Sequence, residues 1–324
     1  MRILLANRLL ATGLGSLPYN TPDEALEKII KYFPQIPFWP QLPQRSKKEL
    51  MLEAFLFPWV KEGLVKFLYG RGIFSEEPNK IDLYKEAITK HELLPRENAP
   101  GFYKLGEYLT EGRFPKAILL KGQVTGPNTL CKYNLLSSGL PLNHNQEITQ
   151  GILKLVEKQL NFQIKYFKKF NLPIIIFIDE PAFLVKFYEP SYEILEEGLN
   201  RLVSSAKRKG VMIGIHSCNS PDWFRLTRLP VDMISFDAFT YELSEKDINY
   251  VADFITRGGK IAWGIVPNKG APWEKIYGKL LKYKELMKQS GLVTSSCGLG
   301  LTSERVTEEI LEQTLRVAEI VNNL

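Results

Sequence analysis

"PIIIFID" at residues 173–179, together with "VMIGIH" at residues 211–216, decides the fold of this chain. Both stretches are apolar at nearly every position and lack the alternation of a strand with one face in water. Parallel strands that are covered by helices on one side and by a packed interior on the other have this pattern. The two stretches therefore predict buried parallel strands in an α/β domain.

Similar short apolar runs recur along the chain, with helical patterns between them. We predict eight strands, at residues 9–16, 36–39, 117–123, 173–179, 211–216, 232–237, 260–266 and 292–297. We predict helices at residues 22–32, 46–69, 145–169, 191–209, 245–257, 272–289 and 304–322. This alternation favours a single (β/α)₈ barrel, the TIM barrel of the α/β class, over residues 1–324. Residues 70–115 are polar without a clear strand, so we interpret them as an insertion between the second and third strands.

The composition of the chain argues against nucleic-acid-binding and membrane-spanning classes of protein. The chain has 324 residues, of which 44% are hydrophobic and 24% are charged, and its formal net charge is +6. Lysine and arginine are dispersed and no nucleic-acid-binding motif is found, so we expect no nucleic-acid partner. No run of 18 apolar residues occurs, so we expect no membrane span. Three cysteines fit a reducing cytoplasm in which thiols serve chemistry rather than disulfides.

The C-terminal ends of barrel strands face one common pocket, and polar or sulfur-bearing residues are predicted there. His216 and Cys218 are two residues apart on one strand, so their side chains point to the same face. Cys297 ends the last strand. One imidazole and two thiolates suit Zn²⁺, with a fourth position for a carboxylate, water or substrate. A buried structural thiol pair, or a nucleophilic cysteine with a histidine base, are the alternatives. Cys131 has no such companions and is interpreted as an ordinary half-buried thiol.

Two acids, Asp179 and Glu180, close the most apolar strand. They are consistent with simple strand termination and a helix cap, or with a carboxylate in the pocket that holds a cationic group such as an ammonium. Gly15 and Ser16 lie in the turn after the first strand. The backbone N–H groups of this turn and the Ser16 hydroxyl are groups that can hold a carboxylate. These four residues are the predicted substrate contacts.

Five short motifs occur in a characteristic order: "GSLP" (15–18), "TGP" (125–127), "IDEPA" (178–182), "HSC" (216–218) and "CGL" (297–299). In this order they resemble the C-terminal catalytic domain of cobalamin-independent methionine synthase. They also resemble the related barrel methyltransferases of the uroporphyrinogen decarboxylase superfamily. The resemblance covers nearly the whole chain. The long enzymes of the family carry a second, N-terminal barrel that we do not expect here, so the chain resembles a short, core type.

The resemblance implies that His216, Cys218 and Cys297 bind zinc. The family completes the set with a glutamate after the sixth strand, and Asp237 stands at that place in this sequence. The resemblance also implies that Asp179 holds the amino group of homocysteine and that Ser16 lies near its carboxylate.

On the donor side, the resemblance places Tyr133 where the family has the tryptophan that stacks on folate. Gln123 and Trp39 are predicted to line the same side of the pocket. The stretch "WGIVPN" (263–268) lacks the family's catalytic histidine, and "LYGRGIF" (68–74) lacks its folate-binding glutamate. We therefore expect a methylated corrinoid protein, rather than a folate, to supply the methyl group.

These features predict a cytoplasmic, zinc-dependent methyltransferase that converts homocysteine to methionine. One alternative is a corrinoid:thiol methyltransferase that acts on another thiol, such as coenzyme M. A second is a uroporphyrinogen decarboxylase-like protein, which uses no metal and needs arginines around an acidic macrocycle. Arg71 is the only loop arginine that the sequence offers for that role. A binding barrel that carries zinc structurally is the non-enzyme alternative.

Overall fold

The computed structural model describes residues 8–182, 192–219, 222–289 and 291–324. In chain order, the strands are β1 (Leu9–Ala11), β2 (Val65–Leu68), β3 (Arg71–Phe74), β4 (Leu120–Thr125), β5 (Leu135–Leu136), β6 (Ile174–Asp179), β7 (Met212–Ser217), β8 (Met233–Phe236), β9 (Lys260–Val266) and β10 (Gly291–Ser295). The α-helices are α1 (Pro22–Tyr32), α2 (Met51–Phe55), α3 (Phe57–Lys61), α4 (Ile81–Lys90), α5 (Pro100–Thr110), α6 (Pro127–Tyr133), α7 (Gln146–Phe167), α8 (Tyr192–Arg208), α9 (Trp223–Leu226), α10 (Glu245–Thr256), α11 (Trp273–Met287) and α12 (Glu304–Asn323).

Seven strands form one curled, all-parallel sheet in the order β1-β10-β9-β8-β7-β6-β4. Helices α7, α8, α11 and α12 pack on its outer surface. A separate buried cluster fills the inside, and it includes Leu10, Ile175, Phe177, Met233 and Leu292. Both faces of the strands are therefore apolar and buried, as the sequence predicts for parallel strands. Within the described residues, no helix combines the length and the apolar character that crossing a membrane requires.

The predicted strand at residues 36–39 is not a strand in the structure. Proline has no N–H to donate to a ladder and fixes its own φ angle, so regularly spaced prolines prevent a continuous strand. In this part of the chain proline recurs at every third position, at Pro34, Pro37, Pro40 and Pro43. We call residues 34–43 the proline seam.

The proline seam lies between the two edge strands of the sheet and pairs with both at single points. Phe38 forms an isolated parallel bridge with Lys121 of β4, and Gln41 forms one with Ser16, beyond the end of β1. The Gln41 N–H donates to the Gly15 carbonyl at 3.1 Å. The seam therefore connects β1 to β4 without a regular ladder.

Buried side chains replace the missing ladder bonds of the seam. The amide of Gln163, on α7, donates to the Gln123 carbonyl at 2.8 Å, and its oxygen accepts from the Trp39 indole at 3.2 Å. The Gln123 side chain in turn donates to the Trp39 carbonyl at 3.1 Å. Thr12 donates its hydroxyl proton to the Ile36 carbonyl at 2.9 Å. Directional polar contacts thus hold a segment that cannot form backbone pairs along its length.

The helix predicted at residues 46–69 is only partly present in the structure. Helices α2 and α3 are short, and the chain then forms the antiparallel pair β2–β3, with β5 added in parallel. The turn uses Tyr69 and Gly70, both at positive φ (50° and 77°), as tight hairpins require. The expectation of no strand within residues 70–115 is therefore wrong at β3. The Tyr-Gly pair between two β-rich runs is the signal that the helical interpretation overlooked.

Replacing Gln163 with leucine should lower the free energy of unfolding by about 1–3 kcal/mol, because the buried Trp39 N–H loses its acceptor. Urea denaturation measures the change. Gln150 lies on the same helix but is exposed, so the Gln150→Leu control should stay within about 0.5 kcal/mol of the unmodified protein. Equal losses in the two variants would contradict the role of the seam contacts.

Candidate metal centre

His216, Cys218 and Cys297 meet at the C-terminal edge of the sheet. His216 lies on β7, Cys218 follows that strand directly, and Cys297 lies two residues beyond the end of β10. One ligand atom from each residue lies within 4.8 Å of the other two. The structure thus brings together three donor groups that are far apart in the sequence.

The geometry of these three groups fits a zinc ion. Zinc–sulfur and zinc–nitrogen bonds of about 2.3 and 2.0 Å place tetrahedral ligand atoms roughly 3.3–3.8 Å apart, so small side-chain shifts suffice. The Nδ1 atom of His216 is already hydrogen-bonded to the Ser235 hydroxyl at 2.9 Å. This contact leaves Nε2 for the metal, which is the usual role of a second partner on a ligating histidine.

The two thiols interact strongly with each other. Their mutual hydrogen bond lowers the pKa of the Cys297 thiol, and His216 adds to that effect. The same hydrogen bond, together with burial, raises the pKa of the Cys218 thiol. The Cys297 thiol therefore loses its proton readily, whereas the Cys218 thiol keeps its proton. A divalent cation bound by both sulfur atoms would take the place of that remaining proton.

Asp237, the predicted fourth ligand, does not join the three. Its Oδ1 accepts hydrogen bonds from the backbone N–H groups of Phe239 and Thr240 at 3.1 and 2.8 Å. The carboxylate thus stabilises the turn after β8. Among the described residues, the group of potential metal ligands consists of His216, Cys218 and Cys297 only. In this structure the protein provides three donors at the centre.

A cavity of about 450 Å³ opens beside the three donors, and Ser16 and Asp179 both line it. The Ser16 hydroxyl accepts from the Gly300 N–H at 3.2 Å, and the Ser16 carbonyl accepts from the Leu299 N–H at 3.0 Å. The predicted substrate turn therefore packs directly on the loop that carries Cys297.

Asp179 lies at the end of β6, next to His216 in the strand register. Burial raises the pKa of its carboxyl group, while His216 and Lys121 oppose that shift by favouring the charged form. A carboxylate in this position offers a negative charge inside a partly enclosed cavity. Such a site favours an ammonium group on the ligand.

Glu180 has a different role from the one that the sequence suggests. Its carboxylate is fully buried and does not line the cavity. One oxygen accepts from the backbone and side-chain nitrogens of Asn128 at 3.0 and 2.9 Å, and the other accepts from the backbone N–H and hydroxyl of Thr129 at 2.8 and 2.7 Å. These four bonds fasten β6 to the start of α6, so we assign Glu180 to the framework of the site.

The three predicted donor-side residues lie outside the wall of the cavity. Trp39, in the proline seam, and Gln123, which donates to its carbonyl, are fully buried, and neither lines the cavity. Gly15, a predicted substrate contact, does not line the cavity but lies against Gln123, because a Cβ added there would be 2.7 Å from the Gln123 amide nitrogen. Tyr133 is half-buried, and burial, with a smaller electrostatic contribution from Cys218, raises the pKa of its hydroxyl. Tyr133 does not line the cavity either, but among the three predicted donor-side residues it is the one on whose pKa Cys218 acts.

The structure adds a carboxylate that the sequence analysis missed. Glu49 lines the cavity, and its side chain is fully shielded from solvent. It accepts from the Arg45 guanidinium at 2.5 Å and from the Leu42 N–H at 3.0 Å. Burial raises the pKa of Glu49 to about 7, although both partners oppose the shift. The polar context "RSKKEL" (45–50) resembles an exposed helix start, so the sequence held no signal for this burial.

Comparisons with known proteins give the fold but no family. No protein-family model matches the chain. No curated protein matches it either. A structure of a B12-independent methionine synthase from Shewanella sp. W3-18-1, in complex with selenomethionine, is 16% identical, with 98% of each chain covered and a TM-score of 0.57.

A second similar structure has unrelated chemistry. It contains the GH20 catalytic modules of a pneumococcal exo-β-D-N-acetylglucosaminidase, and it is 13% identical with a TM-score of 0.52. The match covers 98% of this chain and 84% of the other. At such identities the similarity establishes a shared fold, and the chemistry has to be argued from the site itself.

Ser235→Ala should weaken zinc affinity by about 10–100-fold, because His216 loses the partner that orients its ring. Competition with a chromophoric chelator measures the affinity. The matched control is Thr294→Val, since the buried Thr294 hydroxyl has no hydrogen-bond partner within the described residues. Unchanged zinc affinity in Ser235→Ala would contradict the assignment of Nε2 to the metal.

Glu49 should make the folded protein less stable as the pH rises. Between about pH 4.5 and 7 the unfolded chain releases the Glu49 proton while the folded chain keeps it, so the folded state loses stability over this window. Relative to Glu49→Gln, the unfolding free energy of the unmodified protein should fall by up to about 3 kcal/mol across it. Urea denaturation at several pH values measures this difference. Glu97→Gln, at an exposed carboxylate, is the control, and parallel curves for the protein and Glu49→Gln would contradict the burial effect.

Proposed function

We propose that this chain is a zinc-dependent methyltransferase that binds a small thiol, homocysteine in the first place, and methylates its sulfur. The observation that carries the proposal is the convergence of His216, Cys218 and Cys297 beside a cavity. Three protein donors leave one position of a tetrahedral ion for a substrate, which is the arrangement of catalytic rather than structural zinc sites. Together with the shared fold, this donor set favours thiol activation over the other chemistries that barrels support.

A free thiol is mostly protonated at neutral pH, and only its thiolate is strongly nucleophilic. Zinc, when bound, lowers the pKa of a coordinated thiol and so keeps the substrate sulfur ionised. The chain's own residues supply position and charge. Asp179 attracts the ammonium group of the substrate, and Ser16 with its turn lies where a carboxylate can bind. Holding the substrate at both ends directs its sulfur toward the three donors.

Homocysteine fits these contacts, because it carries an ammonium, a carboxylate and a thiol on one short chain. The similar Shewanella structure holds selenomethionine, an amino acid with the same backbone groups. For the donor we infer a methylated corrinoid protein. The stretch 263–268, where the family that this chain resembles has a catalytic histidine, lines the cavity here through Asn268. We place the enzyme in the cytoplasm.

The proposal also covers the fold of the chain. We infer that residues 1–324 form one (β/α)₈ barrel in which the proline seam takes the place of the eighth strand. The single bridges from Phe38 to Lys121 and from Gln41 to Ser16 support that interpretation. The hairpin β2–β3 and helices α4 and α5 then form the insertion on one side of the barrel.

The purified chain should contain one zinc ion and should form methionine from homocysteine and methylcobalamin, used as a simple corrinoid donor. Cys218→Ser and Cys297→Ser should lose both the zinc and the activity, because serine is a poor ligand for this soft site. Cys131→Ala is the matched control, since that buried cysteine lies outside the donor group. Metal analysis and methionine quantification are the two measurements.

Other outcomes of the same assay are equally informative. Stoichiometric zinc in both serine variants would overturn the metal assignment. Methyl transfer from methyltetrahydrofolate but not from methylcobalamin would overturn the donor. Methylation of coenzyme M in preference to homocysteine would overturn the substrate while leaving the metal chemistry intact.

A further inference from the structure

Lys121 is the only lysine or arginine that is fully buried among the described residues. It lies on β4 and faces the interior of the sheet, because the neighbouring Gly122 faces Gln163 and Phe167 of helix α7. Its ammonium makes one hydrogen bond within the described part of the chain, to the Leu14 carbonyl at 2.7 Å. Neither the motifs nor the proposed chemistry uses this residue.

The surroundings of the Lys121 ammonium are mostly aromatic. It lies 5.0 Å from the ring centre of Phe177 and 5.7 Å from that of Phe38. Burial lowers its pKa, and the charge of the nearby Asp179 opposes that shift. Burying a cation costs several kcal/mol unless it is well compensated, so an apolar residue would give a simpler interior here. The free-energy cost of burying the Lys121 ammonium indicates that this residue has a local function.

The hydrogen bond from Lys121 to Leu14 leads toward the cavity. Leu14, whose carbonyl it holds, lines the cavity itself and begins the turn that continues through Gly15 to Ser16. Ser16 bonds to the backbone of Leu299 and Gly300, on the loop of Cys297. This loop approaches so closely that a Cβ added to Gly298 would collide with the Ser16 hydroxyl.

We propose that Lys121 is a positioning residue that fixes the turn from Leu14 to Ser16, and with it the place where the carboxylate end of an amino-acid thiol binds. Its positive charge beneath the turn also favours an anionic group above it. Lys121 therefore selects thiols with a charged head group over plain thiols. This inference rests on the proposed function, because it assumes that the cavity binds such a thiol.

Cobalt substitution allows a test that does not depend on methyl transfer. Co²⁺ replaces Zn²⁺ in sulfur-rich sites, and binding of a thiol to it changes the visible absorption of the centre. The cobalt protein is titrated with homocysteine and, separately, with 2-mercaptoethanol, which has no ammonium or carboxylate. The dissociation constants of the two thiols are compared for each variant.

Lys121→Met should bind one Co²⁺ per chain, weaken homocysteine binding by about tenfold or more, and bind 2-mercaptoethanol within about twofold of the unmodified protein, because a single charged contact is worth about one decade. Thr12→Val is the matched control, since it removes a different buried hydrogen bond, to Ile36 in the seam, and leaves the turn from Leu14 to Ser16 unchanged. It should leave both constants unchanged. If Lys121→Met does not fold, Lys121→Gln, which also lacks the charge, is judged by the same criterion.

Two results would overturn the role of Lys121 alone, provided that the unmodified protein prefers homocysteine. In one, Lys121→Met weakens the binding of both thiols equally; in the other, it weakens the binding of neither. Failure of the unmodified cobalt protein to respond to homocysteine would instead overturn the proposed function, and the inference with it. The two failures are thus distinguished by the unmodified protein.

Discussion

The direction of parallel strands is the constraint on which the site depends. Strands β7 and β10 run the same way in one curled sheet, so their C-terminal ends reach the same edge. This arrangement brings His216 and Cys218 within 4.8 Å of Cys297. Side chains alternate along a strand, so a one-residue slip of β7 would turn both of its donors away from the interior. The apolar packing that sets the strand register therefore also sets the geometry of the centre.

The proline seam couples the fold to the cavity in a second way. Its residues cannot form a ladder, so polar side chains on β4 and α7 hold it in place. The end of the seam and the chain that follows it supply part of the cavity wall through Gln41 and Glu49. Lys121 bonds to the turn on the other side of the seam. A region that looks irregular thus helps to form the cavity beside the three donors, which the regular strands carry.

Much of this was predictable from the sequence, and the exceptions have physical causes. The apolar runs of β6, β7 and β9 carry their own signal, so these strands follow from composition and spacing, as do the donors His216 and Cys218 at the end of β7. Residues 36–39 share that composition, but their prolines exclude a ladder. Glu180 and Asp237 stand at strand ends like Asp179, yet backbone and side-chain donors nearby occupy them. Which carboxylate faces a cavity depends on tertiary contacts that no local sequence pattern contains. The burial of Glu49 and Lys121 could not be predicted from the sequence for the same reason.

X-ray absorption at the zinc edge tests the central claim most directly, because it counts the atoms bound to the metal. We predict two sulfur ligands and one imidazole nitrogen in the zinc-loaded protein, with a light atom in the fourth position. Addition of homocysteine should replace that light atom with a third sulfur at about 2.3 Å. A sulfur count that remains at two with saturating homocysteine, or a fourth ligand supplied by the protein, would contradict the account.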